Sequence, residues 1–287
     1  TATFTIGSSE NGSGGAQMLI YRSDVFEEIA AGHRDISTGA GRNTDRWQLR
    51  SLGSTDDAGI LWVYGMHLKA SSGSANAETR RQGAVAIRND ADTLPAGSNI
   101  VYAGDLNVYG NSEPAYLEFL SGGSGRAEDP LGTDSWSGAS NAIKHTQSPR
   151  LNGGALVGGG LDDRFDFQLL SAPLSDGDGF SLMPETYRSF GNDGDHYNVS
   201  INTGNNTYFP GQTARSNGLA DALHDASDHI PVVSDLMVPG LLTCVLDGNL
   251  GRVVSGGTAS VTALIANARQ VVVVEAASPL EYSAVGD

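Results

Sequence analysis

The stretch "NIVYAGDLNVYG" (residues 99–110) decides the fold. Ile100 to Ala103 form an apolar run of strand length, which breaks at Gly104 into a polar segment carrying Asp105 and Asn107. A short apolar run bounded by turn residues reads as a buried β-strand. Three other stretches repeat the design, with an apolar strand delivering polar residues at one end. They are "WVYGMHLKA" (62–70) with His67, "DDRFDFQLLS" (162–171) with Asp163 and Asp166, and "ASDHIPVV" (226–233) with Asp228 and His229. If these strands are neighbours, their ends converge on one mouth of a sheet. Carboxylates, an amide and imidazoles gathered there can hold a hard divalent cation through oxygens. They can also hold a histidine oriented by a carboxylate.

Between these strands the period changes. In residues 71–94, Ala84, Ile87, Ala91 and Leu94 recur on one helical face, which predicts a helix. "SEPAYLEFL" (112–120) predicts a second, short helix, with Ser112 as its cap, Pro114 in the first turn and Gly122 past the end. "ATFTI" and "AQMLIYR" read as strands around a Gly/Ser turn, "WQLRSLG" pairs with "ILWVYGMHLKA" across "STDDAG", and "DHIPVVSDLMV" is the last strand of the unit. This order predicts a mixed α/β domain over residues 1–238 in which helices cover sheets. From 239 to 287 the helix signal disappears and the chain reads as the start of a separate β-sandwich.

Composition narrows the function classes. Charged residues are 17% of the 287, below the roughly 25% of ordinary soluble domains, and there are 38 glycines. Such a chain is rich in strands and tight turns. The net charge of −16 argues against a nonspecific nucleic-acid binder with a basic footprint. It leaves room for an enzyme that meets a phosphate ester through bound cations. Cys244 is the single cysteine, so no intrachain disulfide forms. No run of 18 apolar residues is present to predict a transmembrane helix.

Taken together, H-L-K, G-D-L-N, R-F-D-F-x-L-L-S and S-D-H-x-P-V resemble the endonuclease/exonuclease/phosphatase superfamily, over about residues 1–238. Its members include deoxyribonuclease I, apurinic endonucleases, sphingomyelinases and inositol-polyphosphate phosphatases. The resemblance implies two packed mixed β-sheets flanked by helices, a four-layer sandwich, and Mg2+-dependent hydrolysis of phosphoester bonds, with Mn2+ or Ca2+ as other candidate ions. It implies that Asp105 and Asn107 position the phosphate, the attacking water or the metal. His229 would contact the scissile phosphate or act as base, with Asp166 as its carboxylate partner. Asp163 is the rival for that role, and the R-x-D-F match favours Asp166. Asp228 would lie on or near a metal, and His67 would stabilise the phosphate or serve as acid. The substrate would be a phosphoester, DNA or RNA first, with a lipid or inositol-phosphate phosphoesterase or a catalytically degenerate surface domain as the alternatives, and an exported, cell-surface or extracellular protein is the expectation.

The departures from the family pattern are equally specific. The family's asparagine-bearing strand and its metal-binding glutamate in a "QE"-like turn are expected upstream of Thr1, the alternative being that the metal ligand is lost, and the chain without them is expected to be poorly soluble and nearly inactive. Glu10 is a candidate partner for His67. Several other polar residues are read as loop positions. His145, with Lys144 and Arg150, is an exposed loop residue or a phosphate contact. Asp221, His224 and Asp225 are loop residues without a special role, as is His196. The acidic turns 175–180 and 192–198 lack the full calcium-loop spacing. Trp136 either stacks on substrate or packs in a loop.

Overall fold

The computed structural model describes residues 2–9, 17–39, 42–54, 57–177, 179–183 and 185–238, and the backbone of 243–247 and 262–266. Strands β1 (Phe4–Ile6) and β2 (Ile20–Arg22) pair antiparallel. The main sheet is built from β3 (Phe26–Glu28), β4 (Arg34–Ile36), β5 (Thr44–Ser51), β6 (Ile60–His67), β7 (Asn99–Asp105), β8 (Ala127–Glu128) and β9 (Asp166–Ser171). Its order is β3-β5-β6-β7-β9-β8, with β4 also on β5. All pairs are antiparallel except β6–β7. That parallel pair needs a crossover, which helix α1 (Ser74–Ala91) supplies. The fold is therefore mixed α/β, around a central mixed sheet flanked by helices.

Strand alternation sorts the side chains into two layers. Trp62, Tyr64, Met66, Ile100, Tyr102, Phe167 and Leu169 face a core completed by Ala84, Ile87 and Ala91 of α1 and by Tyr116 and Phe119 of α2 (Pro114–Leu120). Leu49, Leu61, Val101 and Leu170 face the other way. That side is covered by Leu19 and Tyr21, by Phe180, and by Leu182 and Leu236 of the ladder between β10 (Ser181–Leu182) and β13 (Leu236–Met237). A second short ladder joins β11 (Arg188–Ser189) to β12 (Val232–Val233). Among the described residues, then, the second strand layer consists of two-stranded pieces. Phe4, Ile6, Met18 and Ile20, in and beside the first hairpin, stay exposed.

Two local expectations change. The short helix is capped at Glu113 with no side-chain cap bond; Ser112 sits one residue too early. Residues 213–226, read as loop where they carry Asp221, His224 and Asp225, form helix α3 (Thr213–Ala226). Ala220 and Leu223 of α3 pack on Leu161, Ile201 and Ile230. In the 239–287 segment the described backbone is one antiparallel ladder, β14 (Thr243–Asp247) with β15 (Thr262–Ala266).

Candidate active site

The register of the main sheet assembles the site. His67 ends β6, Asp105 ends β7 and Asp166 begins β9. They are direct neighbours, His67 opposite Asp105 and Asp105 opposite Asp166. By alternation they share the face of Leu61, Val101 and Leu170, away from α1 and α2. Gly104 makes this close approach feasible. Its φ is +137°, and a Cβ there would collide with the Met66 carbonyl oxygen.

His229 reaches this row from the segment between α3 and β12. Its Nδ1 lies 2.7 Å from Asp166 Oδ2, and its Nε2 lies 4.0 Å from Asp105 Oδ2. The carboxylate thus fixes Nδ1–H as donor and leaves Nε2 as the working nitrogen of the neutral ring. His67 Nε2 stands 3.3 Å from Asp105 Oδ2. Asn107, at φ +50°, closes a tight turn: its backbone N–H donates to Asp105 Oδ1 at 2.8 Å, and its amide donates to Asp105 Oδ2 at 2.8 Å and to the Leu68 carbonyl at 3.3 Å. In this arrangement Asn107 steadies Asp105. Arg42 donates to the same Leu68 carbonyl at 3.0 Å.

One member of the cluster had no sequence signal. Gln147 is bridged to Asp163 on one side and His229 on the other, and its Nε2 lies 2.5 Å from His229 Nε2. The adjacent Thr146 hydroxyl accepts the backbone N–H groups of Phe165 and Asp166, each at 3.1 Å, and the Thr146 carbonyl accepts Ile230 N–H at 2.9 Å. The "HTQS" segment therefore ties the two halves of the site together. It lies in "NAIKHTQSPR" (141–150), of which the sequence singles out only Lys144, His145 and Arg150.

The other candidates fall outside this cluster. Asp163 lies across Gln147 from His229, and Asp166 holds the imidazole. Asp228 is half-buried, accepts Val157 N–H at 3.1 Å, and adds negative charge near His229. His145 is fully buried, with Nε2 2.7 Å from the Trp136 carbonyl, so it is neither an exposed loop residue nor a substrate contact. Arg150 donates to the His224 carbonyl. His196 is buried between Asp193 Oδ1 at 2.7 Å and the Thr203 carbonyl at 2.9 Å, which pins the 192–207 loop. Trp136 is core, edge-on to Tyr116 and Phe167. Glu10 lies outside the described residues.

The electrostatics follow from crowding acids in a half-dry row. Burial, reinforced by the Asp166 charge, pushes the Asp105 carboxyl up to about 7. Burial and Asp162 push Asp163 up to about 6. Burial works against a charged His229, but the Asp166 hydrogen bond and the surrounding carboxylates leave it raised. His67 is lowered, by burial first and then by Arg42 and His229.

These shifts set a sign for stability. The native protein holds protons on Asp105 and Asp163 that the unfolded chain, near 3.8, releases. Their effect costs stability as pH rises from about 4 to above 7. The raised His229 acts in the same direction, its contribution being lost as pH rises through its folded value. The lowered His67 opposes it, losing stability as pH falls below about 6.5. The acids dominate. In chelator, unfolding should therefore be easier at pH 8 than at pH 5.5, by on the order of a few kcal/mol, and Asp105→Asn should remove most of the difference. Equal denaturation midpoints for the wild type at the two pH values would contradict this.

The row does not fit a resident divalent ion on its own. No group of three histidine, cysteine, aspartate or glutamate side chains among the described residues is placed to hold a metal. Asp105 already accepts bonds on both oxygens, and Asp228 accepts the Val157 N–H.

No protein-family model and no curated protein sequence matches the chain. Solved structures do. An endonuclease/exonuclease/phosphatase from Bacteroides vulgatus aligns at TM-score 0.45 and 14% identity, over 82% of this chain and 77% of its own. The human Nocturnin catalytic domain, solved with a sulfate anion, aligns at 0.44 and 13%, over 69% and 68% of the two chains. The D. rerio protein TDP2, solved with a single-stranded DNA product, aligns at 0.42 and 18%, over 63% and 68%.

Proposed function

We propose that the chain is a phosphoester hydrolase acting on phosphodiesters, and that it is an exported nuclease. The observation that carries the reaction is the His229–Asp166 pair, 2.7 Å apart, with Nε2 turned toward Asp105 and a second imidazole, His67, on the same carboxylate. Asp166 holds the tautomer, so His229 Nε2 can accept a proton from the attacking water or, once protonated, donate to a phosphoryl oxygen. His67, on the far side of Asp105, suits protonation of the leaving oxygen. Asp105, its carboxyl pushed up to about 7 by burial and by the Asp166 charge, stands between the two rings, 3.3 Å from His67 Nε2 and 4.0 Å from His229 Nε2. Arg42 adds positive charge on the His67 side. A divalent ion would neutralise the phosphate and activate water. Since the described donors do not assemble an ion site, the steps assigned here belong to the side chains alone.

Export draws support from the acidic, glycine-rich composition and the β-rich 239–287 segment. The test is a panel of double- and single-stranded DNA, RNA, sphingomyelin and a phosphomonoester, each with and without Mg2+. Turnover confined to the nucleic acids supports the nuclease reading. Turnover of sphingomyelin alone would make the protein a phospholipase of the same fold, and no turnover on any substrate would leave a binding domain.

Gln147 gives a finer test of the mechanism. Its carboxamide covers the Nε2 position that a substrate oxygen must take, so it has to turn aside during the reaction. Gln147→Ala should change kcat/KM less than about tenfold, since one neutral hydrogen bond is worth about 1 kcal/mol. Gln147→Glu would set a second carboxylate on the imidazole and hold its proton there, and should cost well over tenfold. If Glu and Ala variants match in kcat/KM, the contact plays no part in turnover.

A further inference from the structure

Tyr109 lies two residues beyond Asn107, and 43% of its surface is exposed, while Tyr64, Tyr102 and Tyr116 of the main-sheet core are buried. Three ties hold the ring still. It meets Phe165, the residue before Asp166, edge-on at 5.0 Å between centroids. The Arg80 guanidinium sits 5.4 Å from its centroid, and that group is buried and fixed by Glu113 and by the carbonyls of Lys69 and Ser71. The Tyr109 backbone N–H donates to Glu113 Oε2 at 3.0 Å. The ring is thus anchored to the segments that follow His67 and Asn107 and to the one that precedes Asp166, all three strands of the row. Hydrophobic burial does not explain it, because much of the ring faces water.

We infer that Tyr109 is a stacking platform for a nucleobase next to the phosphate being cleaved. This deepens the proposed hydrolase reading and rests on it. Two residues of extended chain span about 7 Å at most, so the ring lies within one sugar's reach of a phosphate held at Asn107 and Asp105. Bases offer a flat π face whatever their sequence, and stacking on an aromatic side chain contributes roughly 1–3 kcal/mol per base. Lipid and inositol phosphates carry no such face. Recognition through a ring also suits a chain of charge −16, which has little basic surface to spend on a phosphate backbone. Arg80 under the ring draws electron density toward it and favours an electron-rich partner above.

The experiment compares binding of two fluorescein-labelled single-stranded DNA octamers, one with normal bases and one fully abasic, in the presence of Ca2+. The wild type should prefer the base-bearing strand by roughly five- to a hundredfold, the range of one stacked base. Tyr109→Phe and Tyr109→Trp should keep the preference, and Tyr109→Ala should abolish it while leaving the melting temperature nearly unchanged. A wild type that binds both strands equally, or neither, overturns the platform, as does a Tyr109→Ala protein that keeps the full preference. The two readings fail separately. Hydrolysis without base preference removes Tyr109 alone, whereas base preference that Tyr109→Ala abolishes, in a protein that hydrolyses nothing, removes the hydrolase and leaves the platform.

Discussion

His229→Ala should lower kcat/KM on the preferred phosphodiester by roughly 10²–10⁴-fold, the usual contribution of a positioned acid–base group. The fold should barely notice. His229 is part-exposed, and its side chain makes two polar contacts, to Asp166 and to Gln147. Losing them costs at most about 2 kcal/mol. A rate within threefold of wild type, measured at substrate concentrations well below KM, would remove His229 from the mechanism. Asp166→Asn is the companion measurement. An amide can present its NH2 to Nδ1 and force the proton onto Nε2, so a loss of similar size with the geometry intact is expected.

Arg164→Leu should do the reverse and destabilise the protein by about 3–5 kcal/mol. Arg164 is two residues before Asp166, inside the same "RFDF" motif, yet its side chain points into the core. It donates to both oxygens of Asp129, at 2.8 and 2.9 Å, with its own side chain 1% exposed and that of Asp129 fully buried. Tyr116 OH donates to the same carboxylate at 2.8 Å, and the guanidinium lies 4.2 Å from the Phe167 ring centroid. Removing the cation strands a buried carboxylate that water cannot reach, and this penalty outweighs the lost attraction itself. Leu fills much of the vacated volume, so a cavity is not the main term. Chemical denaturation reads the result directly, and a shift below 1 kcal/mol would mean that the pair is not desolvated. Asp129→Asn should be milder, because the amide oxygen still accepts from Arg164 or Tyr116.

These two residues show what the sequence made legible and what it hid. His67, Asp105, Asp166 and His229 could be read because each closes or adjoins an apolar run, and period-two alternation leaves few places for such strands to go. The central helix was equally plain in its spacing of Ala84, Ile87 and Ala91. Helix α3 was missed for a physical reason. "TARSNGLADALHDA" contains Gly218 and several Ser, Asn and Asp residues, which disfavour helix interiors, and its apolar face is narrow. Tertiary packing of Ala220 and Leu223 overrides that weak propensity. Gln147 was invisible because an amide in a loop has no periodicity to betray it. His145 was misread as exposed because nothing in "NAIKHTQSPR" announces that a backbone carbonyl awaits its ring. Arg164 was read as a motif letter and proved to be a core residue.

The site is made of two pieces, one in the main sheet and one outside it. His67, Asp105 and Asp166 sit at the ends of three adjacent strands of the seven-stranded sheet, each paired to its neighbour by the ladder. His229 lies between α3 and a two-residue ladder, held to the row by Asp166, by the Gln147 bridge and by the Ile230 N–H on the Thr146 carbonyl. A detachment of residues 227–233 would disarm the protein while leaving its core folded. In the proposed mechanism, the position of this segment decides whether the His229 ring meets the row.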